Sequence, residues 1–165
     1  GNSISNWKDF SWNSKHYCIS ISIPSEFISK IKVDLKNSIS SDSKIHTITH
    51  VLVNASKILT KSESNDIDAY YDNGIIHLFD NTSDGYNGCS KIIYENFENI
   101  LETCFDLVNV CDCKDESKQN QSTISEDWGG CPKCTFTTNY CQTKNKKLSK
   151  KGALDFFSIF HREIK

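Results

Sequence analysis

The chain has 165 residues, eight cysteines and a formal net charge of -2. That length is enough for an ordinary buried core, so disulfides are not needed merely to fold, and the near-neutral balance excludes a chain-wide electrostatic footprint for nucleic acid or anionic membrane. No apolar run approaches the roughly 18 residues of a membrane span, and no secretory apolar segment opens the sequence, so clustered cysteines favour metal over disulfides.

Chain order gives an α+β reading. Tyr17, Ile19, Ile21 and Ile23 alternate with Cys18, Ser20 and Ser22, the period-two pattern of a strand, ended by Pro24. Ser25 can cap a helix that carries Phe27, Ile28, Ile31 and Leu35 at helical spacing. Ser38 to Lys44 reads as a polar linker, and a second helix follows from about Ile45 to Ile58, burying Ile48, Val51, Leu52, Ala55 and Leu59. The run DIDAYYDNGIIHLFDN holds two strand patterns about Asp72-Asn73-Gly74, a hairpin turn because Asn and Gly tolerate positive φ. After a loop from Asn81 to Gly88, a long amphipathic helix carries Ile92, Ile93, Phe97, Ile100, Leu101, Cys104, Phe105 and Val108. Lys150 to Ile164 closes the chain as a helix burying Leu154, Phe157 and Phe160. The expectation is one small antiparallel sheet packed by about four helices, with a cysteine knuckle near the C-terminus. Residues 1–44 are read as the N-terminal part of the same domain as 45–165.

The knuckle is CDCKDESKQNQSTISEDWGGCPKC, from Cys111 to Cys134. Zinc takes four tetrahedral thiolate or imidazole ligands, which usually arrive as close pairs on tight turns. Cys131-Pro132-Lys133-Cys134, preceded by Gly129-Gly130, is one such pair. Cys111 and Cys113 form the other, although C-x-C must bend to converge. Disulfides within such short loops are strained. The ligand set expected is therefore Cys111, Cys113, Cys131 and Cys134 around one structural zinc, with Cys141 as the reserve ligand. Four thiolates leave no open position for catalysis.

Other constellations read as structural. Cys18, Cys89 and Cys104 stand apart, and a buried free cysteine behaves as a small hydrophobe. His46 and His50 share a helix face, but HTITH lacks the glutamate of HExxH, which favours packing or capping. His77 sits in a strand pattern. DNTSDGYNG lacks the phosphate-loop lysine and carries Asp80 and Asp84, which repel phosphate. The run KNKKLSKK, with Lys144, Lys146, Lys147, Lys150 and Lys151, is either a solvated helix face or a salt-sensitive contact with DNA phosphates.

The order HVLVNASKIL, IIHLFDN with a glycine loop, a helix, CDC…GGCPKC and NYCQTKNKKLSKKGAL resembles the MrfA-like zinc-binding domain found at the C-terminus of DEAD/DEAH-box helicases, including the Hrq type of RecQ-like helicases. His50, Asp80, Cys111, Cys113, Gly130, Cys131, Pro132, Cys134, Cys141, Asn145, Leu148 and Lys150 fall on that pattern, which covers roughly residues 45 to 160. The family's Pro-Gly-Gly-x-Gly loop is reduced here to SDGYNG, and the insert from Lys114 to Trp128 is longer than usual. The resemblance implies a fragment of a nuclear, 3′-to-5′ DNA-repair helicase, not itself an enzyme. Its motor, upstream in the same chain, would hold ATP and Mg2+, and DNA would be a partner while a membrane would not. A protein-interaction module shaped by zinc is the alternative.

Overall fold

A computed structural model describes residues 10–13, 17–23, 41–62, 66–81, 88–111, 131, 134–135 and 148–164. The expected helix after Ser25 and the insert from Lys114 to Trp128 lie outside these residues. Among the described residues, four strands and four helices run in the order β1 (Phe10–Asn13), β2 (Cys18–Ser22), α1 (Ser41–Thr60), β3 (Ile67–Asp72), β4 (Ile75–Asp80), α2 (Cys89–Glu95), α3 (Phe97–Val110) and α4 (Lys150–Ile164). This is the α+β class that the sequence pattern gives.

The sheet is antiparallel throughout, in the order β1-β2-β4-β3. Ile19 pairs with Leu78 and Ile21 with Ile76, so both isoleucines of β2 reach the same face as the apolar residues of β4. Ile67, Ala69 and Tyr71 of β3 join that face opposite Asp80, Leu78 and Ile76. The turn joining β3 to β4 has both Asn73 (φ 48) and Gly74 (φ 82) in the left-handed region, the geometry that an Asn-Gly hairpin favours. Period two thus becomes one buried and one wetter face. On the wetter face His77 bonds Ser20 Oγ at 2.9 Å and stacks on Tyr70, whose side chain is exposed. β1 is an addition to the sequence reading: Phe10–Asn13 pairs with Ile21–Cys18 at the edge of the sheet.

Helix α1 begins at Ser41, inside the stretch read as a linker, and continues through Thr60. Ile45, Ile48, Val51, Leu52, Val53 and Ala55 are buried, and so are Thr47, Thr49, His50 and Ser56. A helix covered on most sides belongs inside the domain, and α1 packs against β3, α2, α3 and α4. Its interior hydroxyls are satisfied locally: Thr49 Oγ1 donates to the Ile45 carbonyl and Ser56 Oγ to that of Leu52, at 2.9 and 2.6 Å.

The expected single helix after Gly88 is two helices, broken at Asn96 (φ -122, ψ 32). The Asn96 side-chain amide donates to the Ile92 carbonyl at 2.8 Å, the competition with the backbone that makes Asn a poor interior helix residue. The break also changes the apolar face: Ile93, Phe97, Ile100, Leu101, Cys104 and Val108 are buried, while Ile92 is exposed. Helix α4 packs on α3 and α1 through Ala153, Phe156 and Phe157, with His161 stacked on Phe105 at 4.1 Å. Leu154 is only partly buried. One apolar cluster runs from the strands through these helices and takes in Cys131 and Cys134.

Candidate metal centre

Helix α3 ends at Val110, and Cys111 is its C-cap in an extended conformation (φ -61, ψ 133). The amphipathic face of α3 is held in the core, so the chain leaves the helix at a fixed place. Cys131 and Cys134 come from the other side on a tight turn. The N–H groups of Cys134 and Thr135 both point to the Cys131 carbonyl, at 3.3 and 3.1 Å. The Cys131 N–H donates to Thr135 Oγ1 at 2.6 Å, closing the turn from the inside.

The three Sγ atoms of Cys111, Cys131 and Cys134 lie within 4.8 Å of one another. Cys131 and Cys134 are buried, and Cys111 is partly so. The Cys111 and Cys131 sulfurs are 3.6 Å apart. A disulfide needs about 2.05 Å, whereas two thiolates at about 2.3 Å from a tetrahedral zinc sit about 3.8 Å apart. None of the six cysteines among the described residues is in a disulfide. A buried group of thiols gains most from a cation, which relieves their mutual repulsion once ionised. The donor set therefore fits zinc, and a bound ion would tie the end of α3 to the turn at 131–135. Among the described residues no carboxylate joins the cluster.

Of the expected ligands, Cys111, Cys131 and Cys134 are brought together, while Cys113 and the reserve Cys141 lie outside the described residues. So do Lys144, Lys146 and Lys147. Lys151 is on α4 and its side chain is not described; Lys150, which opens α4, is only 5 % exposed.

The sequence reading missed what grips the turn. The His50 Nδ1–H donates to the Thr135 carbonyl at 2.9 Å, because a carbonyl can only accept. One helical turn on, Asn54 Nδ2 donates to the Cys134 carbonyl at 3.1 Å. One turn earlier, Thr47 Oγ1 accepts the Ser149 N–H at 2.6 Å, and Ser149 Oγ in turn accepts the Gly152 N–H as the N-cap of α4. Thr47, His50 and Asn54 form a polar stripe at helical spacing on a largely buried helix. Such a stripe was the available signal, since buried polar side chains need partners.

His50 is neutral. Burial and the neighbouring His46 lower its pKa to about 4 against the upward pull of the Thr135 hydrogen bond. Among the described residues its Nε2 has no hydrogen-bond partner, and it is not among the atoms gathered within 4.8 Å. The remaining thiols contrast with the cluster. Cys104 is fully buried, its Sγ 3.8 Å from the Val51 carbonyl, and burial raises its pKa well above the ordinary value. Burial also raises the Cys18 and Cys89 thiols, with Asp80 adding to the effect.

A family profile described as MZB, MrfA Zn-binding domain, matches residues 48–135. That span begins two residues before His50 and ends on Thr135. It takes in Cys111, Cys113, Cys131 and Cys134, and leaves out Cys141 and the basic run. An uncharacterised protein of Methanocaldococcus jannaschii is 28% identical over 120 residues, covering 67% of this chain and 93% of that protein. No solved structure matches the chain. No helix among the described residues is long and apolar enough to cross a membrane.

Proposed function

The chain belongs to the MrfA Zn-binding domain family, and from that premise we propose that it is an accessory domain of an ATP-dependent DEAD/DEAH-box DNA helicase, docking on the motor and adding to its hold on DNA. Family membership is the observation that carries this reading. The cluster supports it, because thiols with no carboxylate among the described residues make a structural site rather than a hydrolytic one. ATP and Mg2+ belong to the motor, and work in 3′-to-5′ repair places the domain with chromosomal DNA, in the nucleus where there is one. Phosphate contact falls to Lys144, Lys146, Lys147 and Lys151, with Lys150 serving the core.

The test is titration of the zinc-loaded chain with single-stranded and duplex DNA at 50 and 200 mM salt. Four phosphate contacts would weaken duplex binding on the order of 100-fold between those salts. Changing the four lysines to glutamine should remove most of the affinity and flatten the salt slope. Binding that ignores those lysines would sink their part in the DNA contact.

A second reading has its own observation. The archaeal relative is matched over 93% of its length, which leaves no room in that protein for a motor. The same fold then serves as a zinc-shaped protein-interaction module whose partner is a separate chain. DNA binding absent at both salts favours this reading.

A further inference from the structure

The thiol cluster and helix α1 are linked through backbone, not through sulfur. His50 and Asn54, four residues apart on one face of α1, hold the carbonyls of Thr135 and Cys134 at 2.9 and 3.1 Å. Those carbonyls belong to the turn that sets the positions of the Cys131 and Cys134 sulfurs. Within the turn, the Cys134 and Thr135 N–H groups bond the Cys131 carbonyl and the Cys131 N–H bonds Thr135 Oγ1, and none of these bonds reaches another element. Its placement relative to Cys111, which arrives on α3, therefore depends on what fixes it to the rest of the core. α1 packs directly on α3, so a bond from α1 to the turn fixes the distance between the two halves of the cluster.

We propose that His50 is a positioning residue for the metal centre: as an Nδ1–H donor, helped by Asn54, it holds the Cys131–Cys134 turn at the spacing from Cys111 that zinc requires. The inference rests on the zinc reading of the cluster. His50 acts through the Thr135 carbonyl, one residue beyond Cys134, and does not itself bind the ion. Partners one bond removed from a metal ligand commonly govern metal affinity by about 10–100-fold, because a preset site spends less of the binding free energy on ordering the chain.

The experiment compares zinc affinity, by competition with a chelator, in the full chain and in His50→Ala, His50→Asn and Asn54→Ala. Thr49→Val, on the same helix but bonded only within it, is the control. His50→Ala should raise the Kd for zinc about 10–100-fold. His50→Asn restores a donor where Nδ1 stood and should recover most of that loss. Asn54→Ala should weaken binding less, and Thr49→Val should leave the Kd unchanged. Cobalt substitution supplies a spectroscopic readout: the band positions of the bound ion should be the same in all variants, because the ligands are the same.

Equal zinc affinity in folded His50→Ala and wild type overturns the proposal and leaves the zinc reading intact. His50→Asn as weak as His50→Ala overturns it too, since a donor would then not be what matters. Cobalt bands that move on His50 substitution would make His50 a ligand, which also overturns it. Should His50→Ala fail to fold, Asn54→Ala decides, because its side chain is only partly buried: unchanged affinity there counts against the clasp. A wild-type chain that takes up no zinc removes the zinc reading and the clasp together.

Discussion

Cys104 and Cys134 are buried to nearly the same degree, 0 % and 1 % exposed, yet they belong to regions built in different ways. Cys104 sits between α3 and α1, with Val51 at its sulfur and apolar side chains around it. Regular helices supply its backbone bonds, and its neighbours would stay in place if the thiol were a methyl. Cys134 sits in a turn outside any helix or strand, beside two other thiols, and its carbonyl is held by a side chain of α1. Burial alone does not separate a hydrophobe from a metal ligand; the company of the sulfur does. The core holds itself by packing, whereas the knuckle gathers thiols that suit an ion and leans on hydrogen bonds from α1.

The sharpest way to break the comparison is to remove the ion. Cys131→Ser should take zinc from one per chain to near zero by elemental analysis. A structural zinc contributes folding free energy directly, so a loss of about 5 kcal/mol and a fall of roughly 10–20 °C in Tm are expected. Far-ultraviolet circular dichroism below that Tm should keep the helical signal of α1 and α3. Full zinc occupancy in the variant would contradict the cluster.

Striking the core instead should reverse the pattern. Phe157 is completely buried, and Phe157→Ala should cost about 3–5 kcal/mol in chemical unfolding. The variant should still carry one zinc per chain while folded. Loss of zinc in a folded Phe157→Ala protein would show that the two regions are one.

A pH titration of stability is the next largest lever. The pKa of His50 falls from 6.5 to about 4 in the fold. Its contribution is therefore whole above about pH 6.5, where both states are neutral, and is lost as pH falls toward 4, where only the unfolded chain takes up the proton. The full loss is about 3 kcal/mol. His50→Asn cannot titrate, so the difference in stability between the two proteins should narrow over that window. Zinc release on acidification is common to both and drops out of the comparison. A difference that stays flat from pH 7 to 4 would contradict the depressed pKa.

The smallest effect probes the sheet, far from the knuckle. Gly74 has φ 82 in the hairpin turn, and Gly74→Ala should cost about 1 kcal/mol through backbone strain alone. Zinc affinity should not change. An altered Kd would tie the hairpin to the metal centre and blur the two regions.

What the sequence made legible follows the same division. Strand β2, the hairpin and the buried faces of α1 and α3 were readable because their signal is local: Ile19 and Ile21 alternate, Asn73-Gly74 turns, and Ile100, Leu101, Cys104 and Val108 keep a helical period. Cys111, Cys131 and Cys134 were readable by spacing. The break at Asn96 was hidden because the apolar residues continue across it. Phe10–Asn13 was hidden because a short edge strand needs only one partner and shows little pattern. The Thr47, His50 and Asn54 stripe was hidden for a deeper reason. Its partners are backbone atoms 80 to 102 residues away, and a backbone atom leaves no mark on residue identity. The burial of Lys150 was hidden for a related reason: its charge is plain in the sequence, while its burial depends on how α4 docks.

That reach along the chain has a consequence during biosynthesis. Thr47 and the Ser149 amide that it holds are 102 residues apart, and at about 5–20 residues per second a ribosome needs on the order of 5–20 s to make the intervening chain. For that time α1 gains β3, α2 and α3 in turn but still lacks α4, one of the two helices it packs against most. Helix α4 therefore completes the cover of α1 only once it has left the ribosome. A ribosome stalled before Ser149 would carry α1 with the side that α4 covers left open, which is the kind of surface that chaperones bind.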